Sequence, residues 1–182
     1  MPRHKAPFVV LGVTGSIAAY KACEIVRLLR ATSIETQVIL TEEAQRFVTP
    51  LTFQTLSCAR TLTDMFELPE EWNPAHIAIA DRADAILIAP ATAAVIGKLA
   101  AGICDDLLTC VVMATKAPVL IAPAMNDGMY RNPLVQANIS KLAKLGYRFI
   151  GPAAGRLACG RDAVGRLADP AEIVRATKGA AR

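Results

Sequence analysis

The sequence predicts an α/β domain built on a doubly wound parallel sheet, and three observations predict it. Short, uninterrupted apolar runs recur at 8–11 (Phe-Val-Val-Leu), 85–88 (Ala-Ile-Leu-Ile) and 119–121 (Val-Leu-Ile), the pattern of strands buried on both faces. Segments with helical spacing alternate with them, and strand then helix, repeated about five times, builds a parallel sheet covered on both sides. The runs lead into glycine- or proline-bearing turns, so candidate loops line the carboxyl edge, where open α/β sheets bind ligands. A length of 182 residues suits a single domain with a full core.

The first strand leads into Gly12-Val13-Thr14-Gly15-Ser16. A helix is expected over 17–30, with Ile17, Tyr20, Ile25, Leu28 and Leu29 toward the sheet and Lys21, Arg27 and Arg30 in or near solvent. A glycine-bearing loop at a helix N-terminus lets backbone N–H groups approach a phosphate, and Ser16 can cap the helix or bind that phosphate. The spacing is neither G-x-G-x-x-G nor G-K-[ST]. A mononucleotide-type phosphate therefore fits better than a dinucleotide, and a turn without a ligand fits equally. The second strand is 36–40; Thr41 at its carboxyl end is placed to cap the next turn. A short helix is expected over 50–56, and 61–72 reads as an acidic, irregular surface loop.

Asn73-Pro74 opens a helix, as N-cap and first helical residue. His76 follows in its first turn, where positive charge is disfavoured. The imidazole is expected to stay neutral, as a general base near neutral pH requires, although a lone histidine is more often a packed or surface residue. Ile88-Ala89-Pro90-Ala91 and Ile121-Ala122-Pro123-Ala124 are the same four residues, so two strands should end alike at their prolines on one edge. Thr92 is positioned to cap a helix over 93–101 or to meet a ligand, and another helix spans 105–114. After the second copy, Met125-Asn126-Asp127-Gly128-Met129-Tyr130 forms a polar turn. Its Asn126 amide can both donate and accept, or merely cap. A helix over 134–145 and a last strand over 147–150 follow. The segment 155–166 carries three glycines and three arginines around Cys159 and reads as a flap over about 153–168. Its arginines can meet a phosphate or carboxylate and would lower the pKa of Cys159; a solvated basic loop with an incidental cysteine is the alternative.

Composition narrows the classes. With 53% hydrophobic residues and mean hydropathy +0.36, either a dense core or apolar surface shared between subunits is expected. A net charge of +4 without a dense basic run, and 5% aromatics, argue against a base-stacking surface and suit a small anionic ligand. The cysteines Cys23, Cys58, Cys104, Cys110 and Cys159 form no C-x-x-C pair, and His4 and His76 are the only histidines. Reduced thiols of a cytoplasm are therefore expected, and no metal site. Residues 1–5 lead into a strand too short for a signal-peptide core. The apolar zone 107–125 is broken by Lys116, Pro118 and Pro123, so it reads as helix then strand rather than a membrane span.

Together, these stretches resemble the homo-oligomeric flavin-containing Cys decarboxylases, a family of Rossmann- or flavodoxin-like fold. Gly12 to Lys21 is similar to the family's flavin-phosphate loop and His76 to its active-site histidine. Pro123 to Met129 is similar to its P-x-M-N-x-x-M motif, and Ala158-Cys159-Gly160 to its substrate-clamp cysteine. The resemblance runs over about 8–170. It implies FMN as cofactor, held near Gly15, Ser16, Ile17, Thr41, Ala91 and Thr92. It also implies His76 as base, Asn126 as the binder of the substrate carboxylate, Met129 in the same pocket and Cys159 as proton donor. The implied reaction converts 4′-phosphopantothenoylcysteine to 4′-phosphopantetheine in coenzyme A biosynthesis. The cysteinyl side chain is oxidised to a thioaldehyde, CO2 leaves, and the enethiol is reduced again. A homotrimer or an assembly of trimers, with sites at subunit borders, is implied too, as is a phosphopantothenate–cysteine ligase, fused or separate. The segment after A-C-G departs from the family's usual acidic residue: Arg161, Asp162 and Ala163 stand here, which bears on the shape of the clamp. Rival readings are a peptidyl-cysteine decarboxylase of lantibiotic type, a flavin prenyltransferase, a catalytically idle flavin-binding regulatory subunit, and a domain without flavin. Cys159 argues against the first and the Asn126 motif against the second.

Overall fold

Five parallel strands form the sheet in the computed structural model, which describes residues 6–66 and 75–181. They are β1 (Phe8–Val13), β2 (Glu35–Leu40), β3 (Ala85–Ala91), β4 (Val119–Pro123) and β5 (Arg148–Phe149), in the order β2-β1-β3-β4-β5. Every residue of β1, β3 and β4 is buried, which is why these strands read as unbroken apolar runs. Alternate side chains of β1 serve opposite cores. Val9, Leu11 and Val13 pack with Ile25 and Leu29 of α1 (Ala19–Ala31), Phe53 of α2 (Pro50–Ser57) and Ile173 of α8 (Pro170–Ala180). Phe8 and Val10 join Ala80 of α3 (Ala75–Arg82), Ile96 and Leu99 of α4 (Ala93–Ala101), Leu108 and Val111 of α5 (Leu107–Ala114) and Leu142 of α7 (Pro133–Lys144). The sheet is thus doubly wound. Its order reverses between β1 and β3, and a crevice opens at their carboxyl ends.

Local chemistry accounts for the element ends. Asp106 and Thr109 form a reciprocal capping box, so α5 starts at Leu107 rather than at 105. Asn126 caps the short helix α6 (Asp127–Arg131), and Asn132 with Pro133 starts α7.

Several expectations are corrected. Helix α1 begins at Ala19, and its buried stripe is Ala19, Ala22, Ile25, Val26 and Leu29. Ile17 lies before the helix and Tyr20 off that stripe; they are 57% and 60% exposed. Ser16 is not the N-cap, a place held by Ala18. In the supposed surface loop, Thr61 is buried and Leu62 bridges Ile39, extending the edge of β2. Residues 67–72 of that stretch, with Asn73 and Pro74, lie outside the described residues. The two proline copies do not end alike: β4 stops at Pro123, whereas β3 continues through a cis Ala89–Pro90 peptide and a register shift to Ala91. The flap is an antiparallel hairpin of β6 (Ala153–Arg156) and β7 (Asp162–Arg166). Neither strand shows apolar–polar alternation in its sequence, Ala-Ala-Gly-Arg and Asp-Ala-Val-Gly-Arg, because most of the hairpin is exposed or half-buried.

Candidate active site

The loop after β1 is pinned to the ends of two other strands. Thr14 is 2% exposed; its Oγ1 donates to the Pro90 carbonyl at 2.8 Å and accepts from the Thr92 N–H at 3.0 Å. Thr92 then caps α4 by accepting from the Val95 N–H at 3.3 Å. Ser16 Oγ donates to the Ala124 carbonyl at 3.1 Å and accepts from the Ala18 N–H at 3.3 Å, so it joins the loop to the end of β4. A Cβ on Gly15 would come well inside 3.0 Å of Glu43 Cβ, so only glycine lets this loop lie so close to the chain after β2. The Gly15 and Ile17 N–H groups find no acceptor among the described residues.

A cavity of about 570 Å³ opens beside this loop. That lies within the roughly 300–1,000 Å³ usual for small-molecule and cofactor sites. Loop 15–18 and the first turn of α1, with Lys21, form one wall; Thr92, Ala93 and the stretch 124–126 form the floor; the hairpin closes the far side. The hairpin is docked by the Met125 N–H donating to the Gly165 carbonyl at 3.0 Å. At its tip the Asn126 side-chain amide donates to Cys159 Sγ at 3.8 Å, while Asn126 Oδ1 accepts from the Gly128 N–H at 2.9 Å. Asn126 therefore caps α6 and presents its N–H to the cleft at once. Arg161 donates to Asp127 Oδ1 at 2.8 Å beside this contact. The Cys159 thiol is held below its ordinary pKa, first by the Arg161 backbone N–H, then by the Arg161 guanidinium, with slight desolvation opposing.

Gly15, Ser16, Ile17, Thr92, Asn126, Met129 and Cys159 thus line one cleft. Ala91 is buried just before Thr92, at the end of β3. Thr41 stands apart: its N–H donates to the Val13 carbonyl, its Oγ1 accepts from the Ala44 N–H, and it lines a neighbouring hollow with Glu42, Asp64, Asp105 and Asp106. His76, half-buried on the first turn of α3, is not among the residues lining the cleft of its own chain. Reading by sequence missed Thr14, whose role depends on a partner 76 residues away, and Asp127, whose partner lies 34 residues on. Lys21, expected in or near solvent and at the end of the stretch that resembles the flavin-phosphate loop, is half-buried and lines the cleft.

The residues fit a flavin mononucleotide. Two unpartnered N–H groups and the Lys21 ammonium offer a phosphate cradle, which Ser16 holds in shape through its bond to the Ala124 carbonyl, and Ile17, Met125, Met129 and Leu167 offer apolar walls.

Fold and site together define a doubly wound α/β protein with an anion cradle at its switch point and a thiol-bearing hairpin over it. The sequence model of the Flavoprotein family matches residues 2–182. The coenzyme A biosynthesis bifunctional protein CoaBC of Bacillus subtilis (strain 168) is 53% identical over 170 residues, which is 92% of this chain and 41% of that protein. The chain thus spans about two fifths of the length of the curated relatives it matches. Among solved structures, a cysteine-to-serine mutant of PPC decarboxylase complexed with pantothenoylaminoethenethiol superposes with TM-score 0.85 at 31% identity, over 96% of this chain and 97% of that one. The FMN-dependent cysteine decarboxylase SpaF gives 0.84 at 32%, over 97% and 98%. The chain belongs to the Flavoprotein family, among its flavin-containing cysteine decarboxylases and near PPC decarboxylase.

Proposed function

We propose that this protein is an FMN-dependent carboxy-lyase that converts 4′-phosphopantothenoylcysteine to 4′-phosphopantetheine in coenzyme A biosynthesis. The observation that carries the proposal is the meeting of the Asn126 amide and the Cys159 thiol, 3.8 Å apart, at the cleft beside the glycine loop. An amide that recognises a carboxylate and a thiol that can give a proton are the two groups a decarboxylation followed by protonation needs. FMN, when bound, supplies two-electron oxidation of the substrate's cysteinyl thiol to a thioaldehyde, an electron sink for the departing CO2, and retains the electrons for return to the enethiol.

The chain's own residues do the rest. Loop 15–17 and Thr92 hold the cofactor, Ala91 backs Thr92 from the end of β3, and Thr41 borders the separate hollow beyond Val13. Asn126 Nδ2 donates to the substrate carboxylate and fixes it relative to the reacting carbons. The alternative partner of that N–H is Cys159 Sγ, so the two exchange as substrate enters. Met129 lines the pocket. The hairpin, docked through Met125 and Gly165, covers the cleft against water. Cys159 delivers a proton to the enethiol, which separates a saturated product from an enethiol one.

His76 takes the proton released in the oxidation, and it does so from a second copy of the chain. Its place outside its own cleft supports this, as does apolar surface at Ile17, Tyr20 and Ile77, which are 57%, 60% and 37% exposed. The assembly is a homotrimer or a set of trimers, with each cleft completed by a neighbour. A phosphopantothenate–cysteine ligase, in the same polypeptide or separate, supplies the substrate, and the work is done in the cytoplasm. No described helix is long and apolar enough to cross a membrane.

The test is anaerobic incubation with 4′-phosphopantothenoylcysteine, following product mass and the flavin spectrum together. CO2 loss with a saturated amine-thiol and flavin ending oxidised is expected. An enethiol product with flavin left reduced would remove Cys159 from its role and point to a peptidyl-type enzyme. A flavin-loaded protein that leaves the substrate untouched would overturn the proposal.

A further inference from the structure

Two contacts join the same two segments side by side. Asn126 and Asp127 are consecutive at the start of α6; Cys159 and Arg161 flank the tip of the hairpin. Asn126 Nδ2 donates to Cys159 Sγ at 3.8 Å, and Arg161 Nη2 donates to Asp127 Oδ1 at 2.8 Å. The first is a long N–H to sulfur contact and the second a charge-assisted bond, which is the stronger kind. The tip is tightly turned, since the Leu157 N–H donates to the Arg161 carbonyl at 2.7 Å and the Gly160 N–H to the Leu157 carbonyl at 2.9 Å. A force on Arg161 is therefore passed to Cys159 with little slack. Asp127 is only 19% exposed at its side chain, whereas Arg161 is 63% exposed, so the acceptor is seated on the body and the cation is carried by the exposed hairpin tip.

We infer that Arg161 is a positioning residue: paired with Asp127, it latches the hairpin tip onto α6, holds the Cys159 thiol over Asn126, and stabilises the thiolate left when Cys159 gives up its proton. The last part rests on the decarboxylase reading; the latch does not. In that step the S–H proton of Cys159 passes to one enethiol carbon, while the hydride equivalent for the other carbon is what FMN, when bound, would supply. The sulfur keeps its bonding pair as a thiolate and later recovers a proton from water. A cation and a backbone N–H beside the sulfur favour the products of that transfer, and the depressed thiol pKa has this same cause. Arg161 thus makes Cys159 the stronger acid rather than merely a reactive thiolate. The other charged groups around the thiol are Lys21 of α1, Asp127 of α6, and Arg156, Asp162 and Arg166 of the hairpin.

The test measures alkylation of Cys159 by iodoacetamide in the flavin-loaded protein from about pH 6 to about pH 9, quantified by peptide mass spectrometry so that the other cysteines are counted apart. Arg161→Met keeps the length of the stem and removes the charge. Its rate–pH curve for Cys159 is expected to move to higher pH, with roughly two- to fivefold slower alkylation at neutral pH, the scale of one exposed charge pair. Arg161→Lys keeps a cation and is expected to restore most of the curve. Asp127→Asn is expected to increase proteolysis at the turn 157–161 and leave a cation near the thiol. An unchanged curve in Arg161→Met, with an equally protected turn in Asp127→Asn, would overturn the inference. With substrate, Arg161→Met should raise the ratio of enethiol to saturated product. If the curve shifts and the unmodified protein does not decarboxylate, the latch stands and the decarboxylase reading falls.

Discussion

Gly165→Ala tests whether hairpin docking places Cys159. Gly165 is buried at φ +149°, and a Cβ built there would come well inside 3.0 Å of the Met125 carbonyl oxygen. The obstacle is backbone, so no side chain can swing aside. Holding alanine at that φ costs about 1–3 kcal/mol. Relieving the overlap lifts β7 from Met125 and breaks the bond from the Met125 N–H to the Gly165 carbonyl, a further 0.5–1.5 kcal/mol or so. A total of about 1.5–4.5 kcal/mol weakens docking by about 10- to 1,600-fold. The loss is expected to stay local, because α8 packs on α1 independently of the hairpin and retains its core residues Ile173 and Val174. Hydrogen exchange at the Met125 amide reads the docking bond directly. Its protection should collapse while the amides of β1 and β3 keep theirs, and turnover should yield more enethiol per CO2. Full protection at Met125 with an unchanged product ratio would refute the reasoning.

Three further substitutions separate binding, capping and framework. Asn126→Asp keeps an equally good N-cap for α6 but exchanges an N–H donor for a negative charge facing the substrate carboxylate. The melting temperature should hardly move while kcat/KM for CO2 release falls about 100-fold or more, and near-normal turnover would remove Asn126 from its role. Gly15→Ala drives a Cβ into Glu43 and displaces the glycine loop. Overpacking of about 1–3 kcal/mol should weaken flavin retention on dialysis by roughly tenfold. Thr14→Val preserves shape but removes the bonds of the buried hydroxyl to the Pro90 carbonyl and from the Thr92 N–H, with its longer 3.4 Å contact to Thr92 Oγ1. A loss of about 1–3 kcal/mol should appear as a lower urea midpoint with an unchanged slope.

Which features could be read from the sequence follows from the distance over which each is determined. The strands buried on both faces and the caps at Thr92, Asn126 and Asn132 depend on neighbours a few residues away, and their residues announce them. Tyr20 faces outward because, at about 100° per residue, it stands roughly opposite Leu29, nine residues on, and Ala19 and Ala22 take the inward face instead. The hairpin was missed as strands because its exposed faces need no apolar alternation, while Gly155 and Gly165, at φ +136° and +149°, were legible only as flexibility. The paired contacts Asn126–Cys159 and Asp127–Arg161 span 33 and 34 residues. Each of the four is an ordinary turn or flap residue where it stands, and only the docking of Gly165 against Met125 brings the thiol over the amide. His76 lies one level further out. It stands on the first turn of α3 and is not among the residues lining the cleft of its own chain, so no contact within this fold marks it as part of the site. A chain whose base is supplied by a neighbour has activity that falls with dilution below the assembly's dissociation constant. On this reading, mixing a His76→Asn chain with a Cys159→Ser chain restores complete turnover, because some clefts then carry both intact groups.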